Sequence, residues 1–179
     1  EHSYVVVTSG LLKELDKREL TGVIAHEMSH IANYDIRVSM IVFGLVSAIG
    51  LISDILLRTA FGAGRSDDDD SGSPYIYIVM IVVAILSPII AAMIQLAVSR
   101  QREYLADSSA ALLTRDPEGL IMALQKLDRS ARPLQRQNTA TAHMYIVNPL
   151  KKGLLNRLFS THPSINDRIA RLKKIGGQM

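Results

Sequence analysis

The run His26-Glu27-Met28-Ser29-His30 constrains this chain more than any other stretch. Residues four apart share one face of a helix, so His26 and His30 can grip one metal ion if the segment is helical. Glu27 follows His26 directly and can turn toward a water on that metal as its base. The surrounding sequence favours a helix. Asp16 with Glu19 three residues later predicts a capping box, with Asp as the cap. From Lys17 to Asp35 there is no Pro and only Gly22. Val23, Ile24, Met28 and Ile31 offer apolar surface to bury. With 5 His in the whole chain, this spacing reads as a metal site rather than as two structural histidines.

The chain has no Cys. Thiolate ligands and disulfides are therefore excluded, and a third ligand must come from His or a carboxylate. Two His, one carboxylate and an open position favour zinc over other divalent metals. The net charge of +3 is modest. The basic residues form no stripe with interleaved aromatics, which speaks against nucleic acid as a partner.

Hydrophobic content is 48% and mean hydropathy is +0.18, high for a soluble protein of 179 residues. The excess sits in two runs. Val38 to Leu57 carries one charged residue, Asp54, and Tyr75 to Val98 carries none. At about 1.5 Å per residue, each can cross a hydrocarbon core of about 30 Å as a helix. A soluble core of this size lacks the amphipathic material to cover two helices that are apolar all round. Between them lies Thr59 to Pro74, a Gly- and Ser-rich loop with Asp67-Asp68-Asp69-Asp70. It lacks the ligand spacing of a calcium loop and reads as a solvated charge run. Arg37 precedes the first span, and Arg100 and Arg102 follow the second. By the positive-inside rule both flanks are cytoplasmic and the acidic loop is outside.

This hairpin points to the third ligand. Both spans return to one side, so residues before the first and after the second become neighbours. Glu103 lies five residues past Val98, roughly 8 Å of helical rise. That matches the height of His30. Glu103 is therefore the expected third ligand. Asp107, four residues on and on the same face, is expected to accept the outer N–H of a ligating His and fix its tautomer.

The organisation that follows has residues 1–37 as the first part of a catalytic domain. Residues 38–98 form the transmembrane hairpin with its acidic loop at 59–74. Residues 99–179 form the second part, carrying the third ligand. Tyr4 to Thr8 predicts a short strand that Ser9-Gly10 ends. Asp116-Pro117 predicts a helix start, with Leu120, Ile121, Leu124 and Leu127 on its apolar face. His143 to Val147 predicts a second strand. Pro163 predicts the start of a last helix that carries Arg168 and Arg171. His162, fixed beside that proline, is placed to donate a hydrogen bond to a developing oxyanion. The chain opens Glu1-His2-Ser3-Tyr4, with neither an initiator Met nor a signal-peptide pattern, and reads as a piece of a longer protein.

Four motifs in order carry a resemblance: His26 to Asp35, Glu103 to Asp107, Ala142 to Pro149, and Thr161-His162-Pro163. Together they resemble the HtpX heat-shock membrane proteases, relatives of the CAAX prenyl endoproteases. The resemblance covers nearly the whole chain. It implies an integral-membrane zinc endopeptidase of the gluzincin type, active in quality control of misfolded or damaged membrane proteins. By it, His26, His30 and Glu103 hold one zinc ion per chain and Glu27 is the base. Asp107 stands behind the ligands, and His162 is a candidate for stabilising the intermediate. The expected fold is mainly α with a small β-sheet, a zincin-like catalytic domain interrupted by the hairpin. The expected place is the cell's inner (plasma) membrane, crossed more than once, with the site facing the cytoplasm. The expected partners are polypeptide substrates and the bilayer. Two alternatives are a non-catalytic membrane protein with a structural zinc, its fourth ligand from His143 or His162, and a prenyl-protein endoprotease.

Overall fold

The structure, a computed structural model, describes residues 3–63, 74–130 and 162–178. Six helices are present among them: α1 (Ser9–Glu14), α2 (Lys17–Ala32), α3 (Asp35–Ala63), α4 (Pro74–Thr114), α5 (Pro117–Ser130) and α6 (Ile165–Gly176). The chain forms two compact units. One comprises Glu1–Ile36 with Val98–Met179, the other Arg37–Ala97.

In the first unit, local chemistry starts each helix. The Asp16 carboxylate accepts from Glu19 N at 2.9 Å, and Glu19 returns the bond to Asp16 N at 2.8 Å, so the capping box of α2 is complete. Lys126 of α5 reaches the same Glu19 at 2.8 Å. Asp116 accepts from Gly119 N at 3.3 Å at the head of α5. Ser164 accepts from Asp167 N at 3.1 Å at the head of α6. These contacts satisfy N–H groups that the first helical turn leaves without an internal partner.

The core lies where α2 meets α5 and α5 meets α6. Val23, Ala25, Leu120, Ile121, Ala123, Leu124 and Leu172 are all buried there. Leu127, Ile165 and Ile169 pack against them. Fully burying a Leu or Ile contributes about 1.5–3 kcal/mol, so this small cluster carries much of the unit's cohesion. Gly22 makes the α2–α5 approach possible. A Cβ at this position would sit 2.8 Å from Leu120 N and 2.9 Å from Leu120 Cα. On α2 the buried face is Glu19, Gly22, Val23, Ala25, His26 and Ser29. Met28 and Ile31, expected to be buried, are 50% and 37% exposed. The helix turns its polar motif inward, and these two residues fall on the opposite side.

The second unit holds the apolar lengths of α3 and α4. Both helices are long and apolar enough to cross a membrane, and only 6% and 11% of their most apolar windows are buried. A core helix of a soluble protein would be covered. These present their side chains outward, as lipid-facing helices do.

The expected small β-sheet is not found among the described residues, which hold helices and connections only. Tyr4 to Thr8 is not a strand, and Tyr4 and Val6 are 83% and 89% exposed. Its β-branched residues favour extended backbone, but a strand requires a hydrogen-bonding neighbour to form a ladder. The other expected strand, His143 to Val147, lies outside the described residues.

Candidate metal centre

Helix α2 carries His26 and His30 on one face, and their Nε2 atoms are 3.1 Å apart. The rings meet edge to face, with centroids 4.6 Å apart. Glu103 on α4 completes the group. Its Oε2 lies 3.6 Å from His26 Nε2, and its Oε1 lies 3.5 Å from His30 Nε2. Zinc bonds to nitrogen and oxygen are about 2.0–2.2 Å, so the ligand atoms of a tetrahedral site stand roughly 3.3–3.5 Å from one another. The three separations lie within a few tenths of an ångström of that spacing. His26 is 3% exposed and Glu103 is 8% exposed. Donor chemistry, spacing and burial all fit a divalent metal held by His26, His30 and Glu103.

Each histidine is held from behind by its other nitrogen. His26 Nδ1 lies 3.0 Å from Asp107 Oδ1. His30 Nδ1 lies 2.5 Å from Asp35 Oδ2. An Nδ1–H donated to a carboxylate leaves Nε2 with its lone pair toward the glutamate, the form a metal needs.

Behind Asp107 stands Arg168 of α6, 1% exposed. Its Nε donates to Asp107 Oδ2 at 2.8 Å and its Nη2 to Oδ1 at 2.6 Å. Its Nη1 lies 3.3 Å from Glu103 Oε2. Burial opposes its charge, but Asp107 and then Glu103 more than compensate, so the Arg168 pKa is raised. The two rings titrate in opposite directions. Burial and then the neighbouring His26 lower the His30 pKa. His26 also meets a burial penalty, but its contacts with Asp107 and Glu103 outweigh it and raise its pKa.

His162 precedes α6, and its Nδ1 is 3.4 Å from Glu103 Oε2. Glu27 is half-buried on α2 beside His26. His143 lies outside the described residues. The structure thus brings His26, His30, Glu103, Asp107 and His162 together. The sequence pattern alone gives no role to Asp35 or Arg168. The signal for Arg168 was present: Ile165, Ile169 and Leu172 form an apolar stripe on α6, and Arg168 sits on it. A charge on a buried stripe requires a buried counter-charge.

Two histidines four apart on one helix, a glutamate beside the first and a carboxylate from a second helix are the arrangement of H-E-x-x-H metallopeptidases. The chain belongs to peptidase family M48, whose family model matches residues 1–176. Among curated proteins it is 53% identical to a "Protease HtpX homolog" of Tropheryma whipplei (strain Twist), over 99% of this chain and 60% of that protein. It is 52% identical to one of Dictyoglomus thermophilum, over 96% of this chain and 56% of that protein. It is 49% identical to one of Streptococcus gordonii, over 98% of this chain and 61% of that protein. The chain therefore spans about three fifths of the length of the curated relatives it matches. No solved structure matches it.

Proposed function

We propose that this chain forms the catalytic part of a membrane-bound zinc endopeptidase that hydrolyses misfolded or damaged membrane proteins. The carrying observation is the three-donor set of His26, His30 and Glu103 at metal-ligand spacing, with Glu27 next to His26 on the same helix. Membership of a peptidase family supports the reaction class. These three side chains would hold one zinc ion per chain. Bound there, it would supply Lewis-acid chemistry toward a scissile carbonyl and an attacking water.

The side chains divide the remaining work. Glu27 takes the proton of the attacking water on its carboxylate and returns it to the leaving amine. Asp107 and Asp35 keep the ring protons on Nδ1. His162 donates toward the developing oxyanion. Arg168 neutralises Asp107 and Glu103 so that both tolerate burial.

In this reading residues 1–37 and 99–179 form one catalytic domain, and residues 38–98 are a transmembrane hairpin within it. The placement of Arg37, Arg100 and Arg102 supports a site facing the cytoplasm from the plasma membrane. Substrates are polypeptides.

The test is zinc content paired with cleavage of casein and of a membrane protein, in detergent, for wild type and Glu27→Gln. About one zinc in both, with cleavage by wild type alone, is the expected result. Zinc retention with full activity in Glu27→Gln removes the base from the mechanism. Zinc in both without cleavage in either favours a structural site. A prenylated peptide cleaved in preference to a misfolded membrane protein would favour the prenyl-protein reading.

A further inference from the structure

In the reaction above Asp35 only keeps the His30 ring proton on Nδ1, yet it also sits at a junction of several constraints. It opens α3, is 8% exposed, and places Oδ2 against His30 Nδ1 at 2.5 Å. Its other oxygen pairs with Nη2 of Arg102. That nitrogen also donates to the Asn33 carbonyl at 2.6 Å. Arg102 is the residue next to Glu103. The contacts form a closed circuit: His30 to Asp35, Asp35 to Arg102, along the backbone to Glu103, and from Glu103 back to His30 at 3.5 Å.

The backbone is shaped to allow this. In an uninterrupted helix, residues five apart point about 140° from one another at 3.6 residues per turn. Asp35 could not then reach His30. The helix instead breaks at Asn33, and Tyr34 adopts φ 55. A non-glycine residue in that region costs about 1–2 kcal/mol. The turn brings Asp35 back beneath the His30 ring. A related arrangement holds His26, where Asp107 lies at Nδ1 and is forked by Arg168, whose Nη2 also lies 3.4 Å from both ring nitrogens. Each histidine thus has a carboxylate at its Nδ1 and an arginine paired with that carboxylate.

We propose that Asp35 and Arg102 act as a positioning strap. Asp35 fixes the ring orientation and tautomer of His30, and Arg102 anchors Asp35 to the helix that supplies Glu103. The strap holds the ligands of the two helices at a common distance from the metal. This rests on the metal reading given above.

The competing account is that Asp35 merely starts α3. As the first residue of α3, Asp35 favours that helix through the dipole, by about 0.3–1 kcal/mol; a role limited to this moves helix content and not metal affinity, so Asp35→Asn separates the two. It keeps the shape and an acceptor, but removes the charge that binds Arg102 and strengthens the His30 bond. The experiment measures zinc and cobalt(II) affinity by competition with a chromophoric chelator, with the visible spectrum of the cobalt form. The proteins are wild type, Asp35→Asn, Asp35→Ala, Arg102→Gln and the double variant Asp35→Asn/Arg102→Gln, in detergent. Far-UV circular dichroism confirms equal helix content.

Loss of a group behind a metal-bound histidine lowers affinity about 10–100-fold, and that range is expected for Asp35→Ala. Asp35→Asn should weaken binding by less and shift the cobalt spectrum. Arg102→Gln should weaken binding in the wild-type background but add nothing to Asp35→Asn, because it acts through Asp35. Unchanged affinity and spectrum in Asp35→Asn, with wild type binding metal, overturn the strap. A wild type that takes up no metal overturns the metal reading, and the strap with it.

Discussion

Arg168 forks onto both oxygens of Asp107, at 2.8 and 2.6 Å, and the two side chains are 1% and 3% exposed. The pair is 61 residues apart in sequence and joins the last helix to the helix of the third ligand. Because neither partner meets water, breaking the pair leaves the Asp107 charge buried with only the His26 Nδ1 contact to offset it. Arg168→Met should destabilise the protein by about 3–5 kcal/mol in denaturant unfolding. Arg168→Lys should recover part of this, since a lysine keeps the charge but cannot supply the planar fork. Equal stability of Arg168→Met and wild type would show that the fork contributes nothing.

Gly22 gives a case in which two effects oppose each other. Alanine gains roughly 1 kcal/mol over glycine in a helix interior. Its Cβ, however, would meet the Leu120 backbone at 2.8 and 2.9 Å, and backbone in a packed helix pair cannot rotate away. Overpacking of this kind costs about 1–3 kcal/mol. Gly22→Ala should therefore lower the unfolding midpoint. A raised midpoint would mean that α2 and α5 part without cost.

Leu124 is 0% exposed at the centre of the core. Leu124→Ala should cost about 2–5 kcal/mol. Leu112, on α4 and 65% exposed, is the matched control, and its alanine variant should change stability by less than about 0.5 kcal/mol. Unfolding midpoints of the two variants check this directly.

Metal removal should be visible in stability. A ligand that binds only the folded state at 100 times its Kd stabilises by about 2.7 kcal/mol. A strong chelator should therefore lower the melting temperature of wild type. It should leave a His26→Ala/His30→Ala variant unmoved. An equal response in both would place the effect elsewhere in the molecule.

His162→Ala should lower kcat by about 10²–10³-fold, the usual loss when one oxyanion donor is removed, while zinc content holds. Loss of zinc in this variant would instead make His162 a ligand, as its 3.4 Å approach to Glu103 Oε2 allows.

Parts of this arrangement are legible in the sequence because they depend on short-range periodicity. Spacing by four places His26 with His30 and Glu103 with Asp107 on shared faces. The Asp16–Glu19 box and the Leu120, Ile121, Leu124 stripe are equally local. Arg168 and Asp35 are not readable in that way. The first gains its role from a carboxylate on another helix. The second gains it from a left-handed residue at Tyr34, where nothing in the letter Tyr demands that backbone. Tyr4 to Thr8 fails for the converse reason. Its residues favour extension, but strand formation is a property of two segments, and one segment's composition cannot supply the second.

The charges gathered around the two histidines also constrain which ion can be accommodated. Glu27, Asp35, Glu103 and Asp107 contribute four formal negative charges, and Arg102 and Arg168 contribute two positive ones. Isolated ions lose much by leaving water, so a largely buried set of charges favours a net count near zero. A divalent cation brings the count to zero. A monovalent ion leaves a surplus of anion and a trivalent one a surplus of cation. The two arginines thus hold the negative charge around the histidines to a level that one divalent cation would offset.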